Sequence, residues 1–209
     1  CVPDDSEEWF SEKVFHLPAT RLCMTVPRPS RPLPVATAPC NTKGYITFGS
    51  FQQTSKINAG VLAIWAQVMA AVPQSRLRIQ TRGLQATSIQ DKIRADMALA
   101  GIDVSRVDLL GSTDWEDYLE AHNEIDILFD TFPYPGGTTT AFALWMGVPT
   151  VTLAGNTMLS RQGASMLGCV GLNDWIAKDE AEYVELAVKF ANDTERLVQL
   201  RSSLREVAE

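Results

Sequence analysis

Ile125-Asp126-Ile127-Leu128-Phe129-Asp130-Thr131-Phe132-Pro133-Tyr134-Pro135-Gly136-Gly137-Thr138-Thr139-Thr140 is the stretch on which the fold turns. Ile125 to Phe129 is short, mostly apolar and rich in β-branched and aromatic residues, the composition of a buried strand. Beyond the loop, Ala141, Leu144 and Trp145 continue as a helix that Gly147 and Pro149 stop. Thr150 to Leu153 then reads as another strand. Strand, glycine-rich loop, helix and strand make one βαβ unit.

The loop has the chemistry of an anion site. Gly136 and Gly137 let backbone approach a ligand with no Cβ in the way. Thr138, Thr139 and Thr140 fall where a helix begins, with free N–H groups, hydroxyl donors and the positive end of the helix dipole. A plainer reading is a tight turn followed by an N-cap. Neither G-x-x-x-x-G-K-[ST] nor G-x-G-x-x-G is present to decide between them, so spacing alone leaves both open.

Working outward, strands and helices alternate. Tyr45 to Phe51 reads as a first strand of alternating character, followed by the polar loop Gln52 to Lys56. Asn58 then caps a helix with the apolar stripe Val61, Ile64, Trp65, Val68, Met69 and Val72. Strands follow at 77–80 and 107–110, with helices at 88–99 and 114–121 before the opening stretch. Helices at 158–167, 180–190 and 194–207 come after it. This alternation predicts an α/β, Rossmann-like, doubly wound parallel sheet with ligands at the C-terminal ends of the strands. Residues 1–43 differ: seven of the 11 prolines lie there, Glu8 to Phe15 is the only candidate for a short helix or strand, and Arg28 to Pro39 reads as an extended linker. The expected division is a proline-rich lead from something upstream, 1–43, and one compact domain, 44–209. The first residue is Cys rather than Met, which suits a fragment or a processed chain.

Composition narrows the function. Acidic residues exceed basic ones, 25 to 18, giving a net charge of −7, so nucleic acid is not an expected partner. No apolar run approaches the ~18–20 residues that span a bilayer, and no signal peptide opens the chain. Cys1, Cys23, Cys40 and Cys169 are scattered and there are two histidines, so no metal site is expected and a reducing cytoplasm fits.

Polar loops after the strands should gather on one edge. Lys56, with Gln53 three residues before it, would bring positive charge to a diphosphate near the glycine loop; alone it would read as a surface lysine. Thr113, Trp115 and Tyr118 follow the third strand, where the aromatics either stack on a flat base or simply pack at helical i, i+3 spacing. Arg161 is expected to be structural, as are Asp126 and Asp130, which flank a buried strand. His16 and His122 stand in no catalytic spacing with a Ser or Cys, and G-x-S-x-G is missing.

Several blocks in order resemble one family: Gly49 to Ile57, Asp130 to Thr140, Ala143 to Pro149, Leu153-Ala154-Gly155 and Ser160 to Ser165. Together they are similar to the C-terminal catalytic half of the O-linked N-acetylglucosamine transferases, SPINDLY-like proteins included, in the bacterial form with tetratricopeptide repeats upstream. Ser11 to Pro18 is similar to the stretch joining the two halves. The resemblance implies the second, nucleotide-sugar-binding domain of a GT-B glycosyltransferase that takes UDP-N-acetylglucosamine without a metal. It implies that Gln53 and Lys56 contact the diphosphate, with Lys56 acting in catalysis. Thr138 and Thr139, with Gly136 and Gly137 before them, receive the diphosphate at the helix start, and Thr113, Trp115 and Tyr118 hold the uracil. It implies partners outside this chain: an N-terminal GT-B domain bearing a catalytic histidine, and repeats that bind acceptor protein, so the fragment is expected to be inactive alone. Two departures stand out. Phe142 replaces an acidic residue that holds the ribose hydroxyls, and Trp115 and Tyr118 replace a lysine and a histidine. They keep two alternatives open: a GT-B enzyme with another donor or acceptor, and a degenerate binding or scaffold module.

Overall fold

A computed structural model describes residues 7–17 and 20–209. After a short helix α1 (Cys40–Lys43), the chain alternates as the sequence predicts. It runs β1 (Thr47–Ser50), α2 (Ala59–Ala71), β2 (Arg76–Gln80), α3 (Thr87–Leu99), β3 (Val107–Leu110), α4 (Trp115–Glu120) and β4 (Ile127–Phe129). It continues through α5 (Thr138–Trp145), β5 (Thr150–Leu153), α6 (Gln162–Cys169), β6 (Ile176–Ala177), α7 (Glu180–Ala191) and α8 (Thr194–Ala208). The strands pair parallel in the order β3-β2-β1-β4-β5-β6. The chain starts in the middle and winds out both ways, which is the Rossmann-like α/β class expected. The order reverses between β1 and β4, so the loops leaving those strands diverge and open a crevice between them.

The first strand is not half-exposed, as its alternating pattern suggested. All four of its residues are buried, because it lies centrally with helices on both faces. Behind it Phe48 stacks on Phe129 at 4.3 Å, and Trp65 of α2 stacks on Phe129 at 5.4 Å. Asn58 caps α2 as predicted, its side chain accepting from Val61 N at 3.1 Å. Gly147 sits at φ +73 just beyond α5, a turn that a side chain would strain. Two buried carboxylates organise the strand ends. Asp126 accepts from the backbone N–H groups of Cys40 and Thr47, tying the start of β4 to that of β1. Asp130 does the equivalent work at the other end, described below.

Glu8 to Phe15 forms neither a helix nor a strand; only a 3-10 turn, Glu7–Trp9, appears there. The segment expected as an extended linker is indeed irregular, yet it is strapped to the domain. Arg31 bridges Asp117 at 2.8 Å and Glu120 at 2.7 Å, Ala36 N donates to Asn123, and Arg205 of α8 donates to the Leu33 carbonyl. Pro18, within the joining stretch of the resemblance, lies outside the described residues.

Candidate functional site

A cleft of about 500 Å³ lies at the β1/β4 reversal. Its walls are Phe51, Gln52, Gln53 and Lys56 from the loop after β1, Tyr134 and Gly137 from the loop after β4 with Thr138 and Thr139 at the start of α5, Gln162 and Met166 from α6, and Leu22 to Met24 from the lead. Of the predicted residues, Gln53, Lys56, Gly137, Thr138 and Thr139 therefore meet in one place. Thr113, Trp115, Tyr118 and Gly136 are not part of the cleft wall.

Asp130 builds the glycine loop. It is fully buried and accepts from Thr131 N at 2.9 Å, Gly136 N at 2.6 Å, Thr152 Oγ1 at 2.8 Å and Gln52 Nε2 at 3.2 Å. Burial pushes its carboxyl up to about 6, against the pull of these bonds and of the Lys56 charge. The expectation for Gly136 needs correcting here. Its N–H is spent on Asp130, and its missing Cβ makes room for Gln52 rather than for a ligand. Gly137 borders the cleft and is the N-cap of α5, with no side-chain cap. The first N–H groups of a helix have no intrahelical partner, so those of Thr138 and Thr139 are free for an anion.

Lys56 is held from three sides. Its Nζ donates to Gln52 Oε1 at 3.3 Å and to the Pro135 carbonyl at 3.1 Å, and lies 3.8 Å from the Tyr134 ring centre. An ammonium has three donors, so one remains for the cleft. Burial draws its pKa below the ordinary lysine value, with the Asp130 charge opposing the shift.

The aromatic segment forms a shelf beside the cleft. Trp115 lies nearly parallel to Tyr118 with centroids 6.2 Å apart, and Phe142 meets Trp115 edge-on at 4.7 Å. Burial pushes Tyr118 up to about 12, with the Thr139 side chain working the other way. Through Phe142 the shelf joins α5, and through Phe51, which Tyr118 meets edge-on at 5.5 Å, it joins the loop after β1. Trp115 keeps 45% of its surface exposed, whereas the Thr113 hydroxyl accepts from Gln80 at 3.4 Å and points to β2. The rings pack on one another, as the plainer reading of Trp115 and Tyr118 has it, and Trp115 is the exposed member of the pair.

Gln52, Tyr134 and Gln162 are site residues to which sequence reasoning gave no role. Gln52 stood in view beside Gln53, but only the tertiary contact with Asp130 shows which glutamine turns inward. Leu22 to Met24 came from a segment read as a tail. His122 is a core residue, stacked on Phe51 at 4.1 Å. Arg161 donates to the Gly155 carbonyl and is structural, as expected. Among the described residues no three His, Cys, Asp or Glu side chains are grouped to hold a metal ion, and no helix is long and apolar enough to cross a membrane.

This is the architecture of Rossmann-like proteins that take a ligand at the topological reversal of a parallel sheet, with a helix start and one cation facing it. More particularly, the chain belongs to glycosyl transferase family 41, whose profile matches residues 40–208. It is 40% identical over 206 residues to a Petunia hybrida protein named probable UDP-N-acetylglucosamine–peptide N-acetylglucosaminyltransferase SPINDLY, covering 98% of this chain and 22% of that protein. A Caenorhabditis elegans UDP-N-acetylglucosamine–peptide N-acetylglucosaminyltransferase is 30% identical over 159 residues, 76% of this chain and 14% of its own length. A solved mutant of the Thermobaculum terrenum O-GlcNAc transferase superposes with a TM-score of 0.90 at 33% identity, over 99% of this chain and 38% of that one. The chain thus spans about a fifth of the plant relative it matches.

Proposed function

We propose that the chain is the nucleotide-sugar-binding half of a glycosyltransferase that moves N-acetylglucosamine from UDP-N-acetylglucosamine to serine or threonine hydroxyls of proteins. The observation that carries this is the convergence of the Lys56 ammonium and the uncapped start of α5 on one cleft. The names of the plant, nematode and bacterial relatives support the donor and acceptor. When the acceptor hydroxyl attacks the anomeric carbon, the bond to the β-phosphate breaks and negative charge grows on UDP. Lys56 and the N–H groups of Thr138 and Thr139 offset that charge where it develops. Gln53, exposed at the rim, reaches the same diphosphate, and Trp115 offers its open face to the base. In this reading no metal is needed. An N-terminal GT-B domain of the same protein closes the cleft, upstream tetratricopeptide repeats bring the acceptor, and the work is done in the cytoplasm.

Calorimetric titration of the 209-residue chain with UDP tests it. Charged hydrogen bonds contribute about 1.5–3 kcal/mol, so Lys56→Ala is expected to weaken UDP by roughly tenfold or more. A chelator is expected to change nothing. Unaltered affinity in Lys56→Ala would remove the residue from the site, and loss of binding with the chelator would refute metal-free binding.

Trp115 and Tyr118 favour a second reading, a donor with another base: they stand where the resemblance expects a lysine and a histidine, and an aromatic face stacks on any base. Phe142, whose ring is committed to Trp115, offers no acceptor to the ribose hydroxyls of either nucleotide. Competition between UDP and GDP separates the two readings: tighter GDP binding would replace the uridine donor.

A further inference from the structure

Gln162, the first residue of α6, has no part in holding the phosphates, yet its side chain is 93% buried against the cleft wall, with 7% exposed. Its amide orientation is settled by chemistry. Nε2 lies 3.0 Å from the Pro135 carbonyl, and a carbonyl can only accept, so the NH2 must face it and Oε1 must face away. Among the described residues no donor pairs with that oxygen, nor is it sealed from solvent. The amide lies flat beside Gly137, with Nε2 and Oε1 3.6 and 3.9 Å from where a Cβ of Gly137 would stand.

The rest of the wall is rich in donors: Lys56 Nζ, the Thr138 and Thr139 N–H groups and their hydroxyls. Gln162 Oε1 is the opposite, an acceptor fixed in place. Such an oxygen repels phosphate and takes a hydrogen bond from a hydroxyl or an amide N–H. Its position says which part of a ligand that is. The aromatic shelf joins α5 at Phe142, which meets both Trp115 and Tyr118, and on the β1 side it meets Phe51 of the cleft wall. Gln162 borders Gly137, and α6 follows β5, on the far side of β4 from β1. A diphosphate at the α5 start therefore has the shelf on one side and Gln162 on the other. A base on the shelf sends the remaining end of the ligand toward Gln162.

We propose that Gln162 is a specificity-determining residue for the sugar end of a nucleoside-diphosphate sugar, accepting a hydrogen bond on Oε1 from a hexose hydroxyl or acetamido N–H. This rests on the function proposed above and adds to it the group that tells the sugar-bearing donor from the bare diphosphate. The Pro135 carbonyl takes Lys56 on one lone pair and Gln162 on the other, so the two contacts are set by a single peptide group.

The test is the ratio of UDP-N-acetylglucosamine to UDP affinity in the wild-type chain and in Gln162→Leu, by calorimetry, with Gln162→Met as a second variant that keeps the length and loses the acceptor. A neutral hydrogen bond of about 0.5–1.5 kcal/mol corresponds to a roughly two- to tenfold loss. That loss is expected for UDP-N-acetylglucosamine, with UDP affinity retained. A purely structural role would lower both ligands together, leaving the ratio unmoved, and would overturn the assignment; so would unchanged affinity for both. Should the wild-type chain bind neither ligand, the function itself fails and the assignment with it, an outcome distinct from the other two. If Leu does not fold, Met gives the same reading.

Discussion

Gly136 and Gly137 are adjacent and identical in the sequence but face opposite ways in the loop. A Cβ on Gly136 would stand 2.2 Å from Gln52 Nε2 and 2.5 Å from Thr140 Oγ1, and Gln52 cannot retreat without leaving Asp130. On Gly137 the nearest atom is 3.6 Å away, an ordinary contact. Forcing a methyl group into a packed site costs about 1–3 kcal/mol, so Gly136→Ala is expected to lower the denaturation midpoint and, by displacing Gln52 from Lys56, to weaken UDP. Gly137→Ala is expected to change stability by less than about 0.5 kcal/mol. Equal losses in the two variants would show that Gln52 does not depend on the space at Gly136. Sequence reasoning saw the two glycines and the lysine, because residue type alone announces backbone freedom and charge. It did not see that Gly136 serves Gln52, since the contact spans 84 residues and depends on which face of the loop turns inward.

Between α4 and β4 the chain turns through a 3-10 segment, Ala121–Glu124, and His122 is its fully buried anchor. Nδ1 reaches the Tyr118 and Leu119 carbonyls at 3.0 and 3.1 Å. Burial pushes the imidazole down to about 4, with these carbonyls working the other way. The unfolded chain takes up the proton first, near the ordinary 6.5, so His122 supports the fold above that pH and its contribution is lost as pH falls toward 4. Asp130, raised to about 6, acts oppositely: the folded state protonates first, and its burial costs less as pH falls. His122→Phe keeps the stack on Phe51 and removes the titration, so between pH 7 and 5 it should lose about 2 kcal/mol less stability than the wild type. Denaturant midpoints at the two pH values measure this, and parallel losses would count against it. The long helices could be read from periodicity: α2, α3, α7 and α8 match the sequence ranges to within a residue or two at each end. β3 and β5, though only four residues each, stood out as runs rich in apolar and β-branched residues between turn residues. What escaped had neither signal. β6 has two residues, and α1, with four, carries no apolar run, so each is held by tertiary contact instead.

At the scale of the molecule, the sheet was evident in the sequence and the strap was not. Prolines marked the lead as irregular, and it is, but irregular chain can still be bound. Its anchors at Asp117, Glu120, Asn123 and Arg205 lie 86 to 172 residues away, beyond any local pattern. The same strap that grips the shelf helix α4 through Arg31 supplies Leu22, Cys23 and Met24 to the cleft wall. A bound nucleotide would therefore press against irregular backbone just after the exposed Arg21, held there by Ser165 of α6 donating to Thr20 at 2.8 Å and by Leu22 packing on the core. Trypsin should find the Arg21–Leu22 bond readily in the free chain and more slowly at saturating UDP, while Arg28 and Arg31, each followed by proline, resist in both states. Equal cleavage rates with and without UDP would mean that the strap is indifferent to the ligand. Slowed cleavage would make the reverse true as well: whatever draws this segment off the cleft wall weakens the grip on nucleotide by the same factor, so the lead is a lever on the site as well as a strap.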